Sequence, residues 1–540
     1  MEQPYIRYFD LSWSFSSSIT FQAPLYPSTC VFGDNIEIRG GIDDVDPFIL
    51  KTISGSYSNS EVTRIGANAF QYCENLTSVE FPNVTRISGY AFQNCTALTS
   101  VSFPNCSEIL DHAFENCISL TELNLPECSQ LSGSAAFRNC TALSQISLPK
   151  LSYIWFEIFK GCTSLKSVNF PVLSSMRGGS IFYGCTSLQS VAFPSLVTIS
   201  GTGIFSNCTS LTDVSLPLCT NIAGDTFNGC TSLSQIDLPE CLNIGKGAFN
   251  GCQSLVHVSI PKCYSLSILA FNSCSSLQSI DLSLCTLVPT STFTDCISLE
   301  SVNVPICTSV GNNAFAGCIS LSQISLPSCT YLGDNAFRVC TALESVSLPL
   351  CACVSSEAFW NCTALPSINL PSCSYVGNRA FVNCTNLSYI SLPICESLGI
   401  SAFMSCVMLE SINLPECTVL SSTGTFASCT ALSFVSLPKV KRLDASNTFS
   451  GCVELNTAWF NSLEYLSTSF YNCIKLESVY ILTESVVCEL INPSAFYQTP
   501  MTNDTLLGHY GSIYVHPNLT NVYKQATNWV LLSDRITESY

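Results

Sequence analysis

Apolar and polar positions along this chain repeat in a single register. Phenylalanines from Phe70 to Phe470 supply nineteen register marks, spaced 21 to 23 residues apart and most often 22. Three residues after every mark stands a cysteine, from Cys73 to Cys473, and six residues after it a leucine, from Leu76 to Leu476. The ninth position is Val, Ile or Leu everywhere except Ala458, and the eleventh is Leu, Phe, Ile or Val. Side chains two residues apart point to one face of a strand, so TELNLP, SQISLP and ESVSLP read as short strands with their apolar faces inward. Proline follows in sixteen repeats, with Ser283, Asn461 and Leu482 as departures. It cannot donate to a ladder and so marks the strand exit. Twelve repeats place a second cysteine fourteen residues after the mark, among them Cys106, Cys219, Cys307 and Cys417, and an aliphatic residue follows at the seventeenth position.

The resulting spacing, Leu-x-x-Val-x-Leu-x-x-Cys-x-x-Ile, has the form of a leucine-rich repeat. Stretches such as GDNAFRVC then read as a turn or short helix returning Ala336, Phe337 and Cys340 to the core. The expected fold is an α/β solenoid, a right-handed superhelix of about nineteen coils, with one short parallel strand per coil plus a turn or short helix. Three segments follow: residues 1–51, a non-repeating β-type cap or attachment segment; 52–482, the solenoid; and 483–540, a C-terminal cap whose YGSIYVHPNLTNVYKQATNW reads as strand, turn and short helix.

In its Ala-Phe pair, its cysteine three residues later and its Leu-x-x-Val-x-Leu-Pro strand, as in AFAGCISLSQISLP at residues 314–327, the chain resembles the BspA-like leucine-rich-repeat family. That resemblance implies a bacterial, phage or protozoan surface protein engaged in adhesion or recognition. The second cysteine column is a departure from the family pattern.

Composition narrows the partners. The chain has 540 residues, is 47% hydrophobic and only 11% charged, and carries a formal charge of -18. Its twenty Lys and Arg form no cluster longer than Lys439, Lys441 and Arg442, which disfavours nucleic acid and anionic membrane surfaces. No window is apolar enough to cross a membrane, and MEQPYIRYFDLSWSF lacks the basic flank and apolar core of a secretory signal. Thirty-one of 34 cysteines occupy the two inward columns, leaving Cys30, Cys353 and Cys488 outside them. Packing as small hydrophobes is the simplest role for such a ladder, with disulfides and metal thiolates as alternatives. No Cys-x-x-Cys pair supports zinc. Sequons such as Asn94-Cys95-Thr96 and Asn207-Cys208-Thr209 fall out of the repeat itself.

Outward strand positions, eight and ten residues after each mark, read mainly Ser, Asn, Asp, Gln and Glu and would form a neutral concave face. Two irregularities stand out. Asp237, Ser259 and Asp281 share one column, with His257 beside Ser259, which suits a cation site or an Asp-His pair, or simply a solvated polar face. Tyr389, Phe434, Trp459 and Tyr480 take outward positions that are small and polar elsewhere, as in an interface, unless the C-terminal segment folds over them. The other histidines, His112, His509 and His516, lie far away in sequence, and no catalytic constellation or cofactor loop is specified. The expected function is non-enzymatic recognition or adhesion through the concave face, toward a protein or carbohydrate on a host or neighbouring cell. The alternatives are a structural spacer or a virion tail or fibre component.

Overall fold

Each coil turns three corners, and each side of it hydrogen-bonds to the coils before and after. The computed structural model describes residues 54–58, 60, 62–420, 423–443, 446–502 and 510–539, with two further strands, Tyr8–Phe9 and Ile36–Ile38. Apart from those two strands, which pair in parallel, the expected N-terminal segment 1–51 lies outside the described residues. Two compact units divide the chain, Met1–Cys263 and Tyr264–Tyr540.

In both units the expected strand forms. Gln145–Ser147 pairs in parallel with Ser167–Asn169 in the first unit, and Gln323–Ser325 with Ser345–Ser347 in the second. Their outward-inward-outward burial follows the two-residue period. The coil also contains a second, two-residue strand after the proline corner, as at Asn221–Ile222 and Tyr331–Leu332, which makes a second parallel ladder. The aliphatic residue at position seventeen is its inward side chain.

The return of the coil is turn rather than helix. Positions two before and two after the phenylalanine adopt left-handed backbone: Asn335 at φ 57° and Val339 at 63°, Asn313 at 55° and Gly317 at 77°. Asn and Gly tolerate this region best, which accounts for their recurrence there. Amides of this segment bond to the next coil, Phe337 N donating to Ala358 O at 2.8 Å and Val339 N to Trp360 O at 2.8 Å. Gly333 opens the turn because a β-carbon there would lie 2.6 Å from Asn312 N. Among the described residues, helical turns occur only toward the C-terminus, at Pro493–Phe496, Pro517–Leu519, Thr520–Gln525 and Trp529–Arg535.

Stacked phenylalanines fill the core. Ring centroids of successive marks lie 5.0 Å apart at Phe70–Phe92 and 5.3 Å at Phe227–Phe249, and 5.2 Å apart at Phe315–Phe337 and 5.5 Å at Phe470–Phe496. The cysteine columns line the same core. First-column thiols donate to the carbonyl of the preceding coil's phenylalanine, as Cys340 Sγ to Phe315 O at 3.1 Å. Second-column thiols instead donate to the carbonyl two residues ahead, as Cys329 Sγ to Tyr331 O at 3.2 Å. Every described cysteine is free, and all but Cys353 are buried. Packing is thus the role the ladders take.

Parallel pairing continues beyond residue 482. Ser478–Ile481 pairs with Ser512–Val515, which pairs with Ile536–Glu538. Buried Tyr523 and Trp529 lie against this end, with Tyr523 Oη accepting from Cys488 N at 2.8 Å and Trp529 Nε1 donating to Cys488 O at 2.6 Å.

Candidate ligand-contact face

Many serine and threonine hydroxyls among the described residues are engaged inside the fold. At the coil corners, hydroxyls donate to the carbonyl of the coil before: Thr99 to Thr77 O at 2.9 Å, Thr141 to Ile118 O at 3.2 Å, Thr308 to Thr286 O at 3.1 Å and Ser388 to Pro366 O at 3.1 Å. These groups close the stack, so the neutral polar composition does not by itself mark a binding surface. The outward strand positions are different, since alternation turns them away from the core. In the first unit they line a groove of about 1010 Å³ running from Ser56 and Glu80 to Gln145 and Asn169. In the second, a groove of about 550 Å³ runs from Ser279 and Asp281 to Ser347.

Of the polar candidates, Asp237 is in register with Ser259, and Gln235 with His257, on adjacent strands of the first unit. Asp237 and His257 are exposed and Ser259 half-buried. Asp281 belongs to the second unit, where its Oδ1 accepts from Asn303 Nδ2 at 2.9 Å and from Ser283 N at 3.0 Å. Among the described residues no three His, Cys, Asp or Glu side chains converge to hold a metal ion.

The aromatic candidates divide between two columns. Tyr389 and Phe434 stand eight residues after their marks and are 57% and 38% exposed. Trp459 and Tyr480 stand ten after theirs, on neighbouring strands, and their rings stack with centroids 4.0 Å apart. A third ring, Tyr514, continues the stack at 4.5 Å from Tyr480. The described part of the tail therefore supplies one ring to the stack, in register beside Tyr480. Tyr514 is missed by counting from Phe496, because a longer stretch intervenes before its strand. Its signal is local: SIYV alternates like TAWF and SVYI, with Ile513 and Val515 buried.

A family model of the BspA type leucine rich repeat region matches in six overlapping copies, at residues 63–179, 134–239, 157–278, 218–318, 308–432 and 396–516. The chain belongs to the BspA-type leucine-rich-repeat family. Members of such repeat families serve generally as protein-interaction scaffolds and are typically non-enzymatic. Among solved structures, this BspA-type chain is similar to a leucine-rich repeat protein from Bacteroides ovatus, at 25% identity over 74% of this chain and 82% of that one, with a TM-score of 0.38. It is also similar to a leucine rich cell surface protein from Faecalibacterium prausnitzii, at 27% identity over 53% and 83%, with a TM-score of 0.36. No curated protein matches.

One cluster in this BspA-type chain went unseen in the sequence. On the return side of the first unit, Glu115 is only 8% exposed, accepting from Gln93 Nε2 at 2.7 Å and pairing with His112 Nδ1 at 2.8 Å. Arg138 lies 3.5 Å from it and 3.0 Å from Glu157, which also holds Lys160 at 2.7 Å. His112 stacks on Tyr90 at 4.9 Å. Its polar atoms are engaged with one another across successive coils, which is the arrangement of a clamp between coils. The residues stand 3 to 23 positions apart, with no local pattern to announce them.

Proposed function

We propose that this protein is a recognition module that binds a protein or glycan along its outward strand face, with the aromatic end of the second unit as the principal contact. The observation that carries this reading is the pair Tyr389 and Phe434, large rings left exposed in a column otherwise occupied by Ser and Thr on the neighbouring strands. Such rings give up large apolar area on contact while losing few rotamers, as interface residues do. Residues 483–540 act as the closing segment of the array and supply Tyr514 to its face. The reading agrees with the adhesion and recognition that the family resemblance implies, at a cell or virion surface.

The test is retention of the purified protein on glycan and surface-protein arrays, alongside the Tyr389→Ala/Phe434→Ala variant. Retention that falls in the variant supports the site. Retention unchanged in the variant moves the contact elsewhere, and no retention on either array removes the recognition role. A second reading, a structural spacer, is favoured by face groups that bond to one another between coils, such as Asn169 Nδ2 to Ser147 Oγ at 3.0 Å. Under that reading neither array retains the protein.

A further inference from the structure

The stack of Trp459, Tyr480 and Tyr514 ends on Trp459 toward the preceding strand and on Tyr514 toward Thr537 of the following one. Its rings are nearly parallel, with interplanar angles of 16° and 10°, so each covers a face of the next. Tyr480 is sandwiched and offers only its edges. The indole of Trp459 has Tyr480 on one face, and its other face turns toward the rung of the preceding strand. That rung is Ser436, in register with Trp459 and too small to fill it. Strands stand about 4.8 Å apart, so the space beside the indole and above Ser436 is about one ring thick.

What surrounds this rung selects the occupant. On the strands that carry this face, from Ser411–Asn413 to Ser512–Val515, no outward position carries a charge; the charged Arg442 and Glu489 stand on the second ladder. Asn413 lies in the same column one strand beyond Ser436, and among the described residues neither side chain makes a hydrogen bond. Phe434 bounds the rung from the adjacent column of the same strand. The site therefore combines an apolar ring face with neutral donors and acceptors at its rim. An aromatic side chain of a peptide would use the first and not the second. A pyranose satisfies both, placing axial C–H groups on the indole and equatorial hydroxyls toward Asn413 and Ser436. The two tyrosines behind Trp459 hold the indole in place before binding, which lowers the ordering cost.

We infer that the rung between Trp459 and Ser436 is a subsite for one pyranose of a neutral glycan. This rests on the reading of the outward strand face as the binding surface. The test uses the full chain, titrated with neutral gluco-, manno- and galacto-oligosaccharides of defined length, as wild type, Trp459→Ala and Ser436→Tyr. The last substitution would extend the stack with a fourth ring and occupy the subsite without removing a core residue. The expected result is saturable binding to one neutral series, weakened about tenfold or more in both variants, as loss of a ring contact requires. If Trp459→Ala fails to fold, Ser436→Tyr decides alone. Binding undiminished in Ser436→Tyr, or no oligosaccharide binding by wild type, overturns the inference. Absence of oligosaccharide binding together with protein-array retention that Tyr389→Ala abolishes would overturn the subsite while leaving the recognition role standing. Loss of all retention on either array would remove both.

Discussion

Raising the pH above 9 should unfold this protein cooperatively, because its core is lined with thiols. Burial lifts Cys162, Cys230, Cys296, Cys384 and Cys429 from an ordinary value of 9.0 to about 12, and raises Cys185, Cys318, Cys362, Cys406 and Cys452 as well. The folded value lies above the unfolded one, so the unfolded chain releases protons first as pH rises. The stabilisation is complete below pH 9 and is lost between 9 and 12. Each such thiol destabilises the fold by RT ln 2, about 0.4 kcal/mol, at pH 9 and by about 1.4 kcal/mol at pH 10. The five thiols lifted to about 12 therefore cost about 2 kcal/mol at pH 9 and about 7 kcal/mol at pH 10, and the other five add to this in the same direction, against a typical total stability of about 5–15 kcal/mol. Far-ultraviolet circular dichroism followed against pH should show a steep, reversible transition with a midpoint between about 9 and 10. Thiolate absorbance that rises through this range while the native spectrum persists to pH 11 would refute the sealed-core account.

Three further outcomes follow from the same coil geometry. Phe337→Ala removes a ring stacked at 5.2 and 5.4 Å on Phe315 and Phe359, and urea unfolding should register a loss of about 3–5 kcal/mol. Val339→Asn replaces a β-branched residue held at φ 63° and should stabilise by about 1 kcal/mol, read as a raised Tm; a lowered Tm would mean that the left-handed turn is not strained there. Among the described cysteines, brief alkylation at neutral pH followed by peptide mapping should label Cys353, the half-buried one, well before any ladder cysteine.

Much of this fold is legible in the chain because a stacked coil sets each side chain beside its counterpart one repeat away. A column such as Phe315, Phe337 and Phe359 then reads as one environment, and a cysteine column beside it reads as core. The second strand ladder is less visible, since its two residues carry a single inward aliphatic each. The reading of a turn or short helix for the return resolves to turn because two left-handed residues flank every register phenylalanine but Phe470, and their Asn and Gly signal is blurred by exceptions such as Val339 and Tyr72. The aromatic end was half legible: Trp459 and Tyr480 hold register, whereas Tyr514 lies past an irregular stretch and joins them only through strand pairing.

The sequence by itself determined the repeat and its inward columns, because those depend only on spacing along the chain. Only the tertiary structure decided which polar groups are left for a ligand. Corner hydroxyls that look like free surface in the sequence donate to the coil before, and Glu115 with Arg138 closes on its neighbours. The open face of Trp459 exists because Ser436, and not another ring, is the residue that pairing sets beside it. Such adjacency comes from stacking different coils, which no single repeat encodes.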